Sequence, residues 1–307
     1  MKNKIVVIGS SNVDLIMKSN RLPAKGETVT DGVFMQVYGG KGANQAVAAA
    51  RAGGDVVFVS CVGDDAYTPQ MIKNYQNEKI DTRFVFQTKK LPSGHALIMI
   101  DAQGENIISV APGANNELLP DKIKQIESLL EDAAMVVMQF EIPAETIQYV
   151  IDLAWHKNIP VMWNVAPVRT FDFSYVSRVN TLVLNEIEAG FLSGISVNSA
   201  EDAEIAARVL VKKGVEKVIV TLGSTGVLAL TENEKVFVSS YKVNAVDTTA
   251  AGDTFCGALA VAFTEGKTLK ASLEFASAAA AISVTRMGAQ PSVPNRKEIE
   301  QFISERS

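Results

Sequence analysis

Short runs of β-branched and other apolar residues recur along the chain, and most are separated by segments with helical periodicity. The runs that we predict as strands are residues 5–8, 56–60, 135–139, 160–163, 182–184 and 218–221. The helical patterns between them include residues 43–52, 144–157 and 200–213. Apolar strands that alternate with helices are typical of a parallel sheet covered on both faces. The sequence therefore predicts an α/β fold with α/β/α layers.

Two regions break this alternation. Residues 12–38 and 82–110 alternate apolar with polar residues and contain Gly and Pro turns. This pattern predicts antiparallel strands added to one edge of the core, as a small β lid over a site. Neither a linker nor an internal repeat divides the 307 residues. We therefore predict one domain, residues 1–307, with a β appendage.

The composition narrows the class of protein. With 47% hydrophobic and 21% charged residues, the chain is an ordinary globular protein. A net charge of −5 argues against a nucleic-acid partner, and the lack of like-charge blocks argues against a membrane partner. Cys61 and Cys256 are far apart and form no CxxC pair, which fits a reducing cytosol. The apolar run before Gly9 is too short for a signal peptide, so we expect a cytoplasmic protein.

Polar residues cluster where the predicted strands end. In open parallel sheets the ligand lies at the carboxyl ends of the strands. The residues at these ends are 9–14, Glu141, Asn164, 185–188 and 221–224. They are rich in Asn and acidic residues and poor in Lys and Arg. This favours a polyhydroxyl ligand and a metal-bound phosphate over a free anion.

The stretch VDTTAAGDTF, residues 246–255, leads into an apolar run that predicts a buried helix. Gly252 and Asp253 then lie at the helix start, where free N–H groups and the positive dipole end suit a phosphate. Small residues also let a ligand approach the backbone closely. Asp is equally favoured as an ordinary N-cap. This stretch alone leaves both interpretations of Asp253 open.

A second stretch rich in glycine and polar residues is GGKGANQA, residues 39–46, which precedes a helix. Its glycines allow the backbone to approach a ligand closely. Lys41 supplies a hydrogen-bond donor, and Asn44 supplies an amide that can both donate and accept. The alternative is a tight turn into a helix with no ligand.

The sequence does not match several common nucleotide-binding and catalytic motifs. Val261 stands where a P-loop ending at residues 266–268 would need its first glycine, and no GxGxxG opens a helix. His95 and His156 are the only histidines. So few histidines argue against a His-based metal site and against a Ser-His-Asp hydrolase.

GGKGANQAVAA and DTTAAGDTF, in this order, resemble the two signatures of the ribokinase-like (PfkB) carbohydrate kinases. GSSNVD, GETVT, VGDD, NEIEA, VTLGSTGV and VTRMGAQPSVP also resemble segments of the ribokinases in that family. The resemblance runs from Lys4 to about Phe302. It implies a central mostly parallel sheet, helices on both faces, and a β lid that also forms a homodimer interface. It also implies ATP-dependent phosphorylation of the 5-hydroxyl of D-ribose.

The resemblance further implies a role for individual residues. Asp253 becomes the general base, and the backbone amides of residues 250–253 become the anion hole of the transferring phosphate. The sugar-binding positions are Asn12, Asp14, Gly40, Lys41, Asn44, Glu141 and Asp253. The nucleotide-binding positions are Asn185, Thr221, Gly223, Ser224, Gly226, Ala251, Gly252 and Ser277. The catalytic set is Ala250, Ala251, Gly252 and Asp253.

Two metal ions are implied as well. Asn185 and Glu188 match the motif that organises Mg²⁺, through water. A monovalent-cation (K⁺) site, built mostly from backbone carbonyl groups, is implied at Asp247, Thr249, Ser283, Arg286, Gly288 and Ser292. A K⁺ ion there would fix the loop that carries the anion hole.

The sequence also departs from the family. Asn164 is followed by Val-Ala-Pro where ribokinases often read Pro-Ala-Pro, and Ser277 replaces a histidine near adenine. Deoxyribokinase, fructokinase and nucleoside kinase activities remain alternatives. Asn12 favours ribose, because close deoxyribose kinases tend to carry an apolar residue there. A non-catalytic sugar-binding protein would not need Asp253, and a nicotinamide-dependent dehydrogenase would need the missing GxGxxG.

Overall fold

The computed structural model describes residues 3–306, which form thirteen strands and ten α-helices. The strands are β1 Lys4–Ile8, β2 Asn12–Lys18, β3 Val33–Gly39, β4 Asp55–Gly63, β5 Asp81–Thr88, β6 Gly94–Ile100, β7 Asn106–Ala111, β8 Ala133–Met138, β9 Val161–Asn164, β10 Thr181–Leu184, β11 Lys217–Thr221, β12 Gly226–Leu230 and β13 Lys235–Ser239. The helices are α1 Lys41–Arg51, α2 Thr68–Asn77, α3 Pro120–Lys124, α4 Glu127–Glu131, α5 Ala144–Lys157, α6 Glu186–Ser193, α7 Ala200–Lys212, α8 Ala251–Thr264, α9 Leu269–Ser283 and α10 Arg296–Ser304. Within the described residues, no helix has both the length and the hydropathy needed to cross a bilayer.

Nine strands form one large sheet in the order β13-β12-β11-β10-β9-β8-β1-β4-β5. The strands from β11 to β5 pair in parallel, and only β12 and β13 are antiparallel. Successive residues of β1 face opposite sides, so Ile5 and Val7 join one apolar core and Val6 and Ile8 the other. Helices α1, α8 and α9 cover the first side, and α5 and α7 cover the second. The predicted α/β/α architecture is confirmed.

The remaining four strands form a small sheet in the order β3-β2-β6-β7. Strands β2 and β3 are antiparallel, as are β6 and β7, and the two pairs are joined by a parallel β2–β6 pairing. The prediction that the lid's second segment begins near residue 82 is wrong. Asp81–Thr88 instead pairs in parallel with β4 and forms an edge of the large sheet. That edge strand is half exposed, so its sequence alternates as a lid strand would.

Two glycines bring helix α1 onto the end of strand β1. A Cβ atom at Gly42 would lie 2.5 Å from the carbonyl carbon of Gly9 and from the amide nitrogen of Ser10. Real Cβ atoms do not approach backbone this closely. Glycine at position 42 therefore places the first turn of α1 beside the strand ends that carry polar residues.

Candidate active site

A cleft of about 340 Å³ opens at the carboxyl ends of the parallel strands. Strands β9 and β10 supply Asn164 and Leu184 to its wall, and the helix starts supply Lys41, Asn185 and Asp253. This is where an open parallel sheet is expected to bind a ligand. The structure thus brings the two Gly-rich stretches, which are some 200 residues apart in sequence, to one site.

Asp253 is the third residue of α8 and is 6% exposed. Its carboxylate accepts hydrogen bonds from Nδ2 of Asn44 and Nε2 of Gln45, each at 3.0 Å. Ala250, not Asp253, is the residue that precedes the first turn, and no side chain caps this helix. The interpretation of Asp253 as an N-cap is therefore wrong, because the carboxylate faces α1 and the cleft.

The start of α8 presents backbone N–H groups to the cleft. Ala250 has a φ of 58°, in the left-handed region, and is followed directly by helical residues. Such a sequence of conformations turns successive N–H groups toward one point, as in anion-binding nests. In the described part of the chain the amides of Ala250, Gly252 and Asp253 have no acceptor, whereas that of Ala251 donates to the carbonyl of Thr248 at 3.2 Å. Three of the four predicted amides are thus free.

The predicted sugar-binding residues converge beside Asp253. Oε2 of Glu141 accepts hydrogen bonds from Oγ of Ser10 at 2.5 Å and from the amide of Lys41 at 3.0 Å. A Cβ atom at Gly39 would lie 2.0 Å from Oδ2 of Asp14, so this glycine leaves room for the carboxylate. The region where these side chains meet is rich in acidic and amide groups, which suits a polyhydroxyl ligand.

Asn12 and Gly40 complete the predicted sugar-binding set. Asn12 is 4% exposed, and its Oδ1 accepts a hydrogen bond from Nδ2 of Asn115 at 2.8 Å. Gly40 has a φ of 88°, and the backbone of residues 10–12 occupies the space that a Cβ atom would need. A residue with a side chain would be strained at this position, and its Cβ would lie 2.9 Å from the amide nitrogen of Asn12.

The carboxylates of this region perturb one another. Burial, together with the negative charges of Glu141 and Asp253, raises the pKa of Asp14 from 3.8 to about 7. The charge of Asp253 raises the pKa of Lys41, against the opposing effect of burial. Glu141 and Glu188 raise it as well. Lys41 therefore stays cationic and partly balances the acidic groups.

Asn185 and Glu188 lie on the other side of the cleft. They form a capping box at the start of α6, in which Oδ1 of Asn185 accepts from the amide of Glu188 at 2.9 Å. Glu188 Oε2 accepts from the amide of Asn185 at 2.8 Å. Burial raises the pKa of Glu188 to about 7, although the bond from Asn185 lowers it. The carboxylate keeps further lone pairs for a ligand.

This donor set fits a hydrated Mg²⁺ ion. Among residues 3–306 no group of three or more His, Cys, Asp or Glu side chains could hold a metal ion directly. Mg²⁺ commonly retains several waters and binds one or two carboxylates together with substrate phosphates. Asn185 and Glu188 would hold such an ion through water.

The predicted nucleotide loop lies partly in the cleft. Thr221 and Gly223 line it, whereas Ser224, Gly226 and Ser277 are not among its lining residues. A Cβ atom at Gly226 would lie 2.2 Å from the carbonyl oxygen of Val238, so this glycine shapes the turn into β12. Ser277 lies on α9.

The residues of the predicted cation site come from two segments that are hydrogen-bonded to each other. The Asp247 carboxylate accepts from the amides of Thr249 and Gly288, each at 2.8 Å. Burial opposes these bonds, which nevertheless hold the pKa of Asp247 below its ordinary value. The Arg286 guanidinium pairs with Glu298 at 2.5 Å, and since a guanidinium has no acceptor, Arg286 could bind a cation only through its carbonyl.

The carbonyl groups of this loop fit a monovalent cation in part. In the described part of the chain, those of Asp247, Thr249, Arg286 and Gly288 accept no hydrogen bond, and that of Ser283 accepts one from the Arg286 amide at 3.0 Å. Ser292 lies in a 3₁₀ turn, and its side chain bonds to the Ala289 carbonyl.

Four polar residues of the site have no individual role predicted from the sequence, although Ser10 belongs to the strand-end residues 9–14. Ser10 and Asn115 hold Glu141 and Asn12, and Gln45 and Gln139 form a buried amide pair beside Asp253. Gln139 ends an apolar run and Gln45 lies within an alanine-rich helix, so both sat inside elements that were assigned to the core. Two adjacent amides on a buried helix, Asn44 and Gln45, were the available signal.

Comparisons with known proteins agree with this geometry. The family model described as pfkB family carbohydrate kinase matches residues 2–296. A ribokinase of Haemophilus influenzae is 37% identical over 303 residues, with 99% of each chain covered. A deoxyribokinase of Salmonella typhi is 38% identical over 301 residues, with 98% of each chain covered. The structure of an Arabidopsis thaliana ribokinase complexed with ribose and ATP superposes with a TM-score of 0.92, at 32% identity and with 99% of each chain covered.

Proposed function

The chain belongs to the pfkB family of carbohydrate kinases, and we propose that it transfers the γ-phosphoryl group of ATP to the 5-hydroxyl of D-ribose. The observation that carries the proposal is the arrangement around Asp253. A buried carboxylate lies next to three backbone amides that have no acceptor among residues 3–306, between the amide-rich region of Asn12 and Asn44 and the cleft that Asn185 lines.

In the proposed reaction, ribose binds among Asn12, Asp14, Asn44 and Glu141. Asp253 accepts the proton of the 5-hydroxyl as its oxygen forms a bond to the γ-phosphorus. The bond from that phosphorus to the bridging oxygen breaks, and ADP leaves. The amides of Ala250, Gly252 and Asp253 donate to the phosphoryl oxygens. Phosphoryl transfer requires mainly positioning and charge stabilisation, so a carboxylate suffices as base.

Metal ions complete the proposal. A bound Mg²⁺ ion neutralises phosphate charge, and Asn185 and Glu188 would hold it through water. A bound K⁺ ion would lie among the carbonyl groups of residues 247–249 and 286–288 and fix the loop before α8. The hydrogen bonds from Thr249 and Gly288 to Asp247 already join the two segments of that loop.

Phosphorylation of 2-deoxy-D-ribose is the second candidate, because the Salmonella typhi deoxyribokinase is as similar as the ribokinases. Asn12 favours ribose. Asn115 donates a hydrogen bond to Oδ1 of Asn12, which fixes the orientation of the Asn12 amide. Nδ2 of Asn12 is then available to donate to a sugar hydroxyl. A sugar without that hydroxyl would leave a buried donor unpaired, which costs about 1–3 kcal/mol.

We also propose that the protein is a homodimer joined through the small sheet. Met17, Phe34, Leu97 and Ile107 occupy one face of that sheet by strand register, opposite the face of Asp14. Each is exposed, from 37% for Met17 to 58% for Phe34 and Leu97. A contiguous exposed apolar face is typical of an interface. The reaction would take place in the cytoplasm, where the free cysteines would stay reduced.

The test is a coupled ADP-release assay with MgATP, with and without K⁺, on D-ribose, 2-deoxy-D-ribose and D-fructose. We expect the highest kcat/KM on D-ribose, a rise with K⁺, and ³¹P NMR of the product showing a 5-phosphate. A clear preference for 2-deoxy-D-ribose would refute the assignment of substrate while leaving the mechanism. Absence of turnover with every sugar would refute the function.

A further inference from the structure

Gln45 bonds directly to the proposed base but belongs to neither the sugar set nor the nucleotide set. Its Nε2 donates to Oδ1 of Asp253 at 3.0 Å and to Oδ1 of Asn164 at 3.1 Å. Its Oε1 accepts from Nε2 of Gln139 at 2.7 Å. Gln45 and Gln139 are fully buried. Every polar group of the Gln45 amide thus has a partner from a different part of the fold.

A backbone carbonyl group fixes the orientation of the Gln45 amide through a chain of hydrogen bonds. Nδ2 of Asn164 donates to the carbonyl oxygen of Val183 at 3.0 Å, so Oδ1 of Asn164 must face Gln45 as an acceptor. Gln45 must therefore present Nε2 to it, and that leaves Oε1 toward Gln139. Gln139 in turn must present its own Nε2. A backbone carbonyl of β10 thereby determines which end of the Gln45 amide meets Asp253.

Gln139 keeps this orientation at a cost. Its Oε1 is buried without a hydrogen-bond partner in the described part of the chain. A Cβ atom at Gly9 would lie 2.0 Å from that oxygen, so the glycine makes room for the amide. A buried carbonyl without a donor is unfavourable. The fold nonetheless retains the amide here, in the orientation that directs a donor at Gln45.

We propose that Gln45 is a positioning residue that holds the Asp253 carboxylate in line with the attacking hydroxyl, and that Gln139 acts through Gln45. Asn44 fixes Oδ2 of Asp253 and Gln45 fixes Oδ1, so the carboxylate is held at both oxygens. Without Gln45 the carboxylate can rotate about the remaining bond. The proposal rests on the proposed function, because it needs Asp253 to be the base.

The test compares Gln45→Met, Gln139→Met and the double variant with the wild type. Methionine has a similar length and no amide. Val47→Ala is the matched control, because Val47 is a fully buried residue of α1 with no polar contact. We would measure kcat and the KM for sugar and for ATP, together with thermal unfolding. The sugar is whichever one the wild type phosphorylates best, so a wrong substrate assignment does not affect the test.

For Gln45→Met we expect kcat to fall by about 100-fold, the loss typical of a misplaced catalytic group, with each KM changed by less than about threefold. Gln139→Met should lower kcat less. The double variant should be no slower than Gln45→Met, since Gln139 acts through Gln45. A purely structural role would instead lower kcat only in proportion to the folded fraction, as in Val47→Ala.

The proposal is overturned if Gln45→Met keeps kcat within about threefold of wild type or if the two losses multiply. Should Gln45→Met not fold, Gln139→Met alone decides. A lowered kcat at unchanged KM then supports the proposal, and an unchanged kcat overturns it. A wild type that turns over no sugar would instead refute the proposed function.

Discussion

Asp14→Asn should stabilise the ligand-free protein at neutral pH while weakening sugar binding. Asp14 is buried, and burial with the charges of Glu141 and Asp253 raises its pKa from 3.8 to about 7. Between pH 3.8 and about 7, the Asp14 carboxyl group is therefore protonated in the folded state and ionised in the unfolded state. The stability that this proton contributes is fully present below about pH 4 and is lost as pH rises to about 7.

The magnitude follows from the same values. Each pH unit between 3.8 and about 7 corresponds to about 1.4 kcal/mol, so ionising Asp14 costs up to about 4 kcal/mol. Asparagine has nearly the same shape and no charge. The advantage of Asp14→Asn in free energy of unfolding should grow by about 1.4 kcal/mol per pH unit from pH 4 to pH 7 and then level off. Any fixed cost of the amide is independent of pH and cancels in this comparison.

The assay is urea unfolding of the ligand-free wild type and variant between pH 5 and pH 8. Asp132→Asn, at an exposed position after α4, is the control for the exchange of an aspartate for an asparagine. The gain of Asp14→Asn over wild type should be at least about 2 kcal/mol larger at pH 8 than at pH 5. The same pH slope in both proteins would refute the reasoning, as would a variant whose relative stability falls toward pH 8.

Three further outcomes are expected. Asn12→Leu should narrow the preference for ribose over 2-deoxyribose by about tenfold or more, since one buried donor no longer selects a hydroxyl; an unchanged ratio of kcat/KM values would contradict this. Gly42→Ala should lower the free energy of unfolding by about 1–3 kcal/mol, because its Cβ would lie 2.5 Å from Gly9 backbone; wild-type stability in urea would speak against the close approach. Leu97→Glu should shift sedimentation from dimer to monomer, since Leu97 is 58% exposed on the apolar sheet face; an unaltered dimer would move the interface elsewhere.

The sequence predicted six of the nine strands of the large sheet, because those six are buried on both faces and read as unbroken apolar runs. It failed at Asp81–Thr88, where an edge strand with one exposed face has the alternating pattern of a lid strand. The pattern of apolar and polar residues along a strand indicates which of its faces are buried, but not which sheet the strand joins. The pairing partner of that strand is a long-range property.

The site was predictable where residues follow strand ends or lie in Gly-rich stretches, as for Asp253 and Lys41. Gln139 could not be identified, and Gln45 was indicated only by its position next to Asn44, because each belongs to an apolar element and gains its role only from a partner in another element. The amide of Ala251 was also assigned to the anion hole, although it bonds to Thr248. That bond depends on the left-handed conformation of Ala250, which a non-glycine residue rarely adopts.

The central claim is that Asp253 is the general base, and Asp253→Asn tests it most directly. The variant keeps the shape of the side chain and removes the group that accepts the proton. We would measure kcat by sugar-dependent ADP release and the sugar Kd by calorimetry. The account predicts a kcat lower by roughly 10²–10⁴-fold with sugar binding retained. A kcat within about tenfold of wild type would contradict it and return Asp253 to a structural role at the start of α8.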